Sequence, residues 1–253
     1  MASSSAKTFD ISAIALAITC GVGSLIFFAL YPLGSLRVVR LPWSEPWLLC
    51  WNALLSFTFF LQHSGMNRRG FREWLKTRLA PRYHGALYSI ASGAALVLVV
   101  AFWQPCATQL LVLHGTARWL DRALGTIALG IFIWSTFSLL TFDPLGLGPI
   151  NAHLHDAPSP SPRFVVQGPY RWVRHPLYSC AIVMIWTWPE LTADRLLFNL
   201  LWTIWICVGA HLEEGDLASD FGDAYRDYQR RVPMLVPWRG RAFVRLAVCP
   251  SQS

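Results

Sequence analysis

Three short stretches in the second half of this 253-residue chain hold polar groups of the kinds that bind ligands and move protons. The first is Gly168-Pro-Tyr-Arg-Trp-Val-Arg-His-Pro-Leu-Tyr178. Pro176 suits the first turn of a helix, where its missing N–H costs nothing. His175 then falls at the cap, and Tyr178, three residues on, faces the same way. Arg171 and Arg174 add positive charge beside a helix N-terminus, a setting that holds a carboxylate or phosphate. An interfacial anchor of Arg, Trp and Tyr would give the same pattern, so two readings stand. The second stretch is His211-Leu-Glu-Glu-Gly-Asp-Leu217. Acidic groups at the end of an apolar helix oppose its dipole, and carboxylates near a membrane need a partner or a task. Glu213 or Glu214 can pair with Arg171 or Arg174, or bind hydroxyls or a cation. The third stretch is Phe221-Gly-Asp-Ala-Tyr-Arg-Asp-Tyr-Gln-Arg-Arg-Val-Pro-Met-Leu-Val-Pro237. Phe221, Tyr225 and Tyr228 share a helical face, and a Pro-stopped hydrophobic tuck follows. This is an amphipathic helix lying on a membrane, and it can also serve as a lid over a pocket.

The elements that must position these groups are apolar helices. Hydrophobic residues make up 54% of the chain and charged residues 14%, against about a quarter charged in soluble domains. The mean hydropathy is +0.40. These values exclude a disordered chain, a fibrous repeat and an ordinary soluble enzyme. A spanning helix needs about 20 mostly apolar residues. Four such blocks occupy 11–31, 46–62, 86–103 and 123–142. Two shorter blocks, 177–189 and 196–211, read as a helical hairpin turning at 189–194. Backbone groups in lipid must be satisfied within the segment, so helix is the expected element. The fold class is therefore all-α: a polytopic transmembrane bundle of about six segments with a C-terminal amphipathic helix.

The basic residues order this topology. The segments after blocks two, four and six, with Lys7, hold 16 of the 21 Lys and Arg residues, and the opposite side holds 5. Basic loops stay inside, so both termini are expected to be cytoplasmic. Trp43, Trp47, Trp103, Trp119, Trp186, Trp188 and Trp202 cluster at block ends, as interfacial belts do. The net charge of +7 follows topology and forms no single stripe, so nucleic acid is not an expected partner. The six cysteines include no CxxC pair and read as small apolar residues. His153-Leu-His155-Asp156 is too sparse for a metal site, and no metal is expected. The stretch 157–162, Ala-Pro-Ser-Pro-Ser-Pro, reads as a stiff spacer. Nothing in the sequence sets the oligomeric state.

The RHPLY, EEGDL and FGDAYRDYQRRVPMLVP stretches, in this order and spacing, resemble the membrane methyltransferases. That group includes isoprenylcysteine carboxyl methyltransferase and the phospholipid N-methyltransferases. Gln62-His63-Ser-Gly-Met66, Trp103-Gln-Pro105, and Phe142-Asp143 with Gly146-Leu147 are similar to the nurim-like branch, which contains methanethiol S-methyltransferases. The resemblance implies a single integral-membrane domain over 1–253, with a four-helix part over 11–142 and a cofactor-binding core over 163–238. It implies S-adenosyl-L-methionine as methyl donor, and Tyr170, Arg174, His175, Tyr178, Glu213, Glu214 and Tyr225 as its binding residues. His175, His63 and Glu214 are the candidate catalytic groups, the two histidines as bases. The implied acceptor is a small apolar thiol, methanethiol going to dimethyl sulfide, within the lipid bilayer of a bacterial inner membrane. The alternatives are O- or N-methylation of an isoprenylcysteine or a phospholipid headgroup, and a non-enzymatic envelope protein of the nurim type.

Overall fold

The structure is a computed structural model and describes residues 4–30, 38–139, 143, 145–158 and 164–239. The Pro-Ser spacer falls partly outside these residues, as do Tyr31 and Phe142 at block ends, the basic residues Arg37, Arg163, Arg241 and Arg245, and Cys249. The chain forms two compact units, one over 1–107 and 143–161, the other over 108–142 and 162–253.

The first unit contains α1 (Ser4–Leu30), α2 (Glu45–Met66), α3 (Arg69–Lys76), α4 (His84–Phe102) and α6 (Gly148–Leu154). Helix α1 packs along α4, and α2 packs on α4 as well. Small residues permit the α1–α4 approach, as expected where lipid provides no hydrophobic drive between helices. Ala17 and Ala86 are buried with Ile150 at its centre. A Cβ on Gly93 of α4 would sit 2.2 Å from the Cys20 carbonyl oxygen of α1, so only glycine fits there. At the other end of α4, Asn52 of α2 clamps the turn after the helix. Its side-chain N–H donates to the Gln104 carbonyl at 2.6 Å and its oxygen accepts from the Gln104 N–H at 2.9 Å.

The second unit contains β1 (Gln109–Val112), α5 (Gly115–Ser138), α7 (Pro176–Trp186), β2 (Glu190–Thr192) and α8 (Ala193–Arg231). Helix α7 packs on both α5 and α8. The segment expected to be a plain hairpin turn instead contains β2, which pairs antiparallel with β1. The helices thus frame a small two-stranded ribbon. The final apolar block and the amphipathic stretch form one 39-residue element. That element bends at Gly222, whose φ of 57° and ψ of −133° leave the helical region. This conformation is open to glycine and strained for other residues.

Among the described residues, four helical stretches are long and apolar enough to cross a bilayer: Lys7–Ile26, Pro81–Phe102, Gly115–Ser138 and Ala193–Arg231. The chain is thus a multi-pass membrane protein, with the count of six segments approximate. Helix α2 is long, but it carries Asn52, Gln62 and His63 and falls short of the same apolarity. Helix α7, at 11 residues, spans roughly 17 Å, about half a hydrocarbon core. Helix α5 buries only Ala128 and Ser135, and it exposes Trp119, Leu120, Ile127 and Phe137 as a lipid-facing surface would. Among the Trp residues expected at interfaces, Trp43, Trp47, Trp119 and Trp186 are exposed, whereas Trp103 and Trp202 are buried core residues.

Candidate functional site

The second unit gathers all three polar stretches around one carboxylate. Glu214 sits on α8 three residues beyond the apolar run, and its side chain is 10% exposed. Arg174, in the turn before α7, reaches it with two donors: Nε to Oε1 at 2.5 Å and Nη2 to Oε2 at 2.7 Å. His175 Nε2 lies 3.1 Å from Oε1, and the Tyr225 hydroxyl donates to the same oxygen at 3.3 Å. The Gln229 amide donates to Oε2 at 2.8 Å. A carboxylate offers about four lone-pair sites, so Glu214 is saturated. Arg174 is nearly so, because its Nη1 donates to the carbonyls of Gln229 and Val232.

Glu213 is placed differently. Its side chain is 42% exposed, and the Tyr178 hydroxyl donates to its Oε2 at 2.8 Å. His175 Nδ1 lies 3.8 Å from the same oxygen. The His175 and Tyr178 rings stack with 6° between planes and centroids 5.3 Å apart, which is the consequence of their i, i+3 spacing across Pro176. The imidazole thus stands between two carboxylates, one locked and one partly open. Tyr170 belongs to the same neighbourhood. Burial, reinforced by the negative charge of Glu213, pushes its hydroxyl pKa up.

The tail of the third stretch closes over this arrangement. The Arg174 N–H donates to the Pro233 carbonyl at 2.9 Å and the His175 N–H to Met234 at 3.1 Å. The Ser179 hydroxyl donates to the Leu235 carbonyl at 2.7 Å. The strap is anchored from below by Tyr225, Tyr228 and Val232, buried together with Val166. The Tyr228 hydroxyl donates to the Tyr170 carbonyl at 2.6 Å. The N–H groups just ahead of α7 are therefore capped by the chain's own carbonyls. Arg174, not Arg171, directs its charge to Glu214, so this arginine does more than anchor an interface.

Six of the expected site residues thus meet through side chains: Arg174, His175, Tyr178, Glu213, Glu214 and Tyr225. Tyr170 joins them through its carbonyl and its packing against Tyr225 and Tyr228. The candidate base His63 lies in the first unit. Its Nε2 is 2.7 Å from the Tyr88 hydroxyl, and its ring stacks on Phe59. Gln229, Ser179 and the strap carbonyls were not singled out in sequence, and Tyr228 was read only as part of an apolar helical face. Gln229 carries no signal of its own among the arginines of the third stretch. Only the bend at Gly222 turns it toward Glu214. His153, read as a weak ligand, is used within the first unit, its Nδ1 lying 2.7 Å from the fully buried Asp10. Among the described residues no group of three or more His, Cys, Asp or Glu could hold a metal ion.

Comparison with known proteins converges on one group. A protein named methanethiol S-methyltransferase from a Pseudomonas species is 35% identical over 227 residues, covering 84% of this chain and 85% of its own. One of the same name from Mycobacterium tuberculosis is 33% identical over 198 residues, 75% of this chain and 78% of its own. Nurim from Bos taurus is 30% identical over 190 residues, 67% and 68% respectively. No solved structure matches. The family model described as NnrU protein matches residues 53–214, a stretch that begins in α2 and ends on the central carboxylate, and the chain belongs to this family.

Proposed function

We propose that this protein is an integral-membrane S-adenosyl-L-methionine-dependent methyltransferase acting on a small thiol, methanethiol being converted to dimethyl sulfide. It is placed in a bacterial inner membrane with both termini cytoplasmic, on the side where the basic loops lie. The observation that carries the reading is the Glu213–Glu214 pair. One carboxylate is saturated by the scaffold and the other stays partly open beside His175 and Tyr178. An open carboxylate of this kind suits a ligand bearing an ammonium group and ribose hydroxyls, and the donor set fits S-adenosylmethionine in that respect. The names of the relatives support the choice of thiol.

When bound, S-adenosylmethionine supplies a methyl group already activated by its sulfonium. The chain's residues then have to align the acceptor, exclude water and take a proton. Glu213 and Tyr178 bind the polar end of the donor, with Tyr170 and Tyr225 walling that end. Arg174 and Glu214 hold His175 in place. The thiolate, not the thiol, is the nucleophile, so a base must remove the S–H proton. His175 and His63 are the two candidate bases, each accepting at a ring nitrogen. The strap over the start of α7 keeps water from the donor.

The reading is tested by offering detergent-solubilised protein methyl-labelled S-adenosylmethionine with methanethiol, and separately with a lipid extract. Label in dimethyl sulfide is the expected result. Label in lipid would replace the thiol with an isoprenyl or phospholipid acceptor. Absence of donor binding in a calorimetric titration would refute the enzyme reading and favour an envelope protein like nurim.

A further inference from the structure

A basic surface with an aromatic edge lies in the first unit, in the connection between α2 and α4. Residues 68–82 hold six basic side chains, Arg68, Arg69, Arg72, Lys76, Arg78 and Arg82, and one acid, Glu73. Lys76 engages Glu73 at 2.7 Å, so that single acid is already matched. Helix α3 runs through this segment. At 3.6 residues per turn, Arg69, Arg72 and Lys76 fall within about 60° of one another around its axis. Phe71, Trp74 and Leu75 occupy a separate arc of about 100°. The two arcs are anchored differently. Leu75 is 7% exposed and pins α3 to its unit, whereas Trp74 is 53% exposed. Phe71 and Trp74 pack ring to ring with centroids 5.4 Å apart, and the Arg78 guanidinium lies 6.0 Å over the Trp74 ring. The result is an exposed aromatic edge bordered by cations.

The position of this helix is fixed by its neighbours. The next bilayer-crossing stretch begins at Pro81, five residues after α3 ends at Lys76. The chain cannot travel far from the membrane surface in that interval. A basic cluster of this density beside a spanning helix is attracted to anionic lipid, by about 1 kcal/mol per charge near the surface. An exposed Trp suits the headgroup level, where its ring is half wet.

We propose that α3 and its flanking arginines form a docking surface for the headgroups of anionic phospholipid. Arg69, Arg72 and Lys76 engage the phosphates, and Trp74 inserts at the boundary of the acyl chains. The surface is independent of the methyl-transfer reading and would stand if that reading failed.

The experiment uses the full chain in phosphatidylcholine vesicles doped with spin-labelled phosphatidylglycerol or spin-labelled phosphatidylcholine. Electron spin resonance then gives the preference of the protein's lipid shell for the anionic lipid. The wild type should prefer it by about five-fold or more, and the preference should fall with salt. The Arg69→Gln/Arg72→Gln/Lys76→Gln variant should lower the preference by about two-fold or more, the other basic residues of that face keeping the rest, while Arg69→Lys/Arg72→Lys should retain it. Should the triple variant not fold, Arg72→Gln alone should lower the preference measurably. No preference in the wild type, an unchanged preference in the folded Gln variants, or its abolition by inorganic phosphate at constant ionic strength would overturn the proposal. The last outcome would mark a discrete anion site instead of a lipid surface.

Discussion

Replacing Glu214 by Gln keeps the shape of the side chain and removes its charge. In the wild type Oε1 accepts from Arg174, His175 and Tyr225, and Oε2 from Arg174 and Gln229. A Gln side chain has one acceptor oxygen and one NH2, so donors at one of the two positions would face another donor. Breaking a buried charge pair by removing one partner costs about 3–5 kcal/mol. Because Glu214 and Arg174 retain 10% side-chain exposure each, the lower end, about 3 kcal/mol, is expected. For a chain of this size that corresponds to a fall in Tm of roughly 6–12 °C. The neighbouring change Glu213→Gln removes the charge from a side chain 42% exposed that accepts one hydrogen bond, which the amide oxygen can still accept, and should cost no more than about 1 kcal/mol of stability. Its effect falls on the ligand: loss of a charged contact worth about 1.5–3 kcal/mol weakens donor binding by roughly 10- to 100-fold. Thermal melts of both variants in the same detergent, paired with calorimetric titration of S-adenosylmethionine, separate the two roles. A Glu214→Gln protein that melts with the wild type would refute the division of labour. So would a Glu213→Gln protein that keeps full donor affinity.

Gly93→Ala should destabilise the first unit by about 1–3 kcal/mol, since the new methyl meets the Cys20 carbonyl and the helices must part; a wild-type melting curve would contradict this. Gly222→Ala should cost about 1–3 kcal/mol through backbone strain, whereas Asp223→Ala next to it should be nearly neutral, and equal melting temperatures for the two would dismiss the bend as unimportant. His175→Ala should lower both donor affinity and turnover by about 1–3 kcal/mol, and His63→Ala should lower turnover with donor affinity intact. A drop in donor affinity alone for His63→Ala would remove that residue from the candidate bases.

Most of the site was legible because its groups are fixed by short-range spacing. The His175–Tyr178 stack follows from three residues of helix starting at Pro176, and the adjacent Glu213 and Glu214 stand at the end of an apolar run where unmatched charge is costly. The choice between the two glutamates was not legible, because it depends on which one the turn before α7 faces. Gln229 was missed for a related reason. It lies beyond Gly222, and a straight helix would have carried it away from Glu214. The β1–β2 ribbon was also invisible, since strands of four and three residues owe their pairing to tertiary proximity. The apolar blocks gave the helices reliably. They marked the block that becomes α7 as short, but they did not reveal that Trp103 and Trp202 are interior, because hydropathy alone does not distinguish a lipid-facing surface from a protein-facing one.

The bend at Gly222 makes the charge lock a local affair. It lets one helix supply the carboxylate, the amide that steadies it and the strap that covers its arginine, all within a single run of sequence from Arg174 to Leu235. Every partner of Glu214 named above is encoded in that run. One contiguous segment thus carries every group that neutralises this buried carboxylate, and its charge balance needs nothing from the other helices.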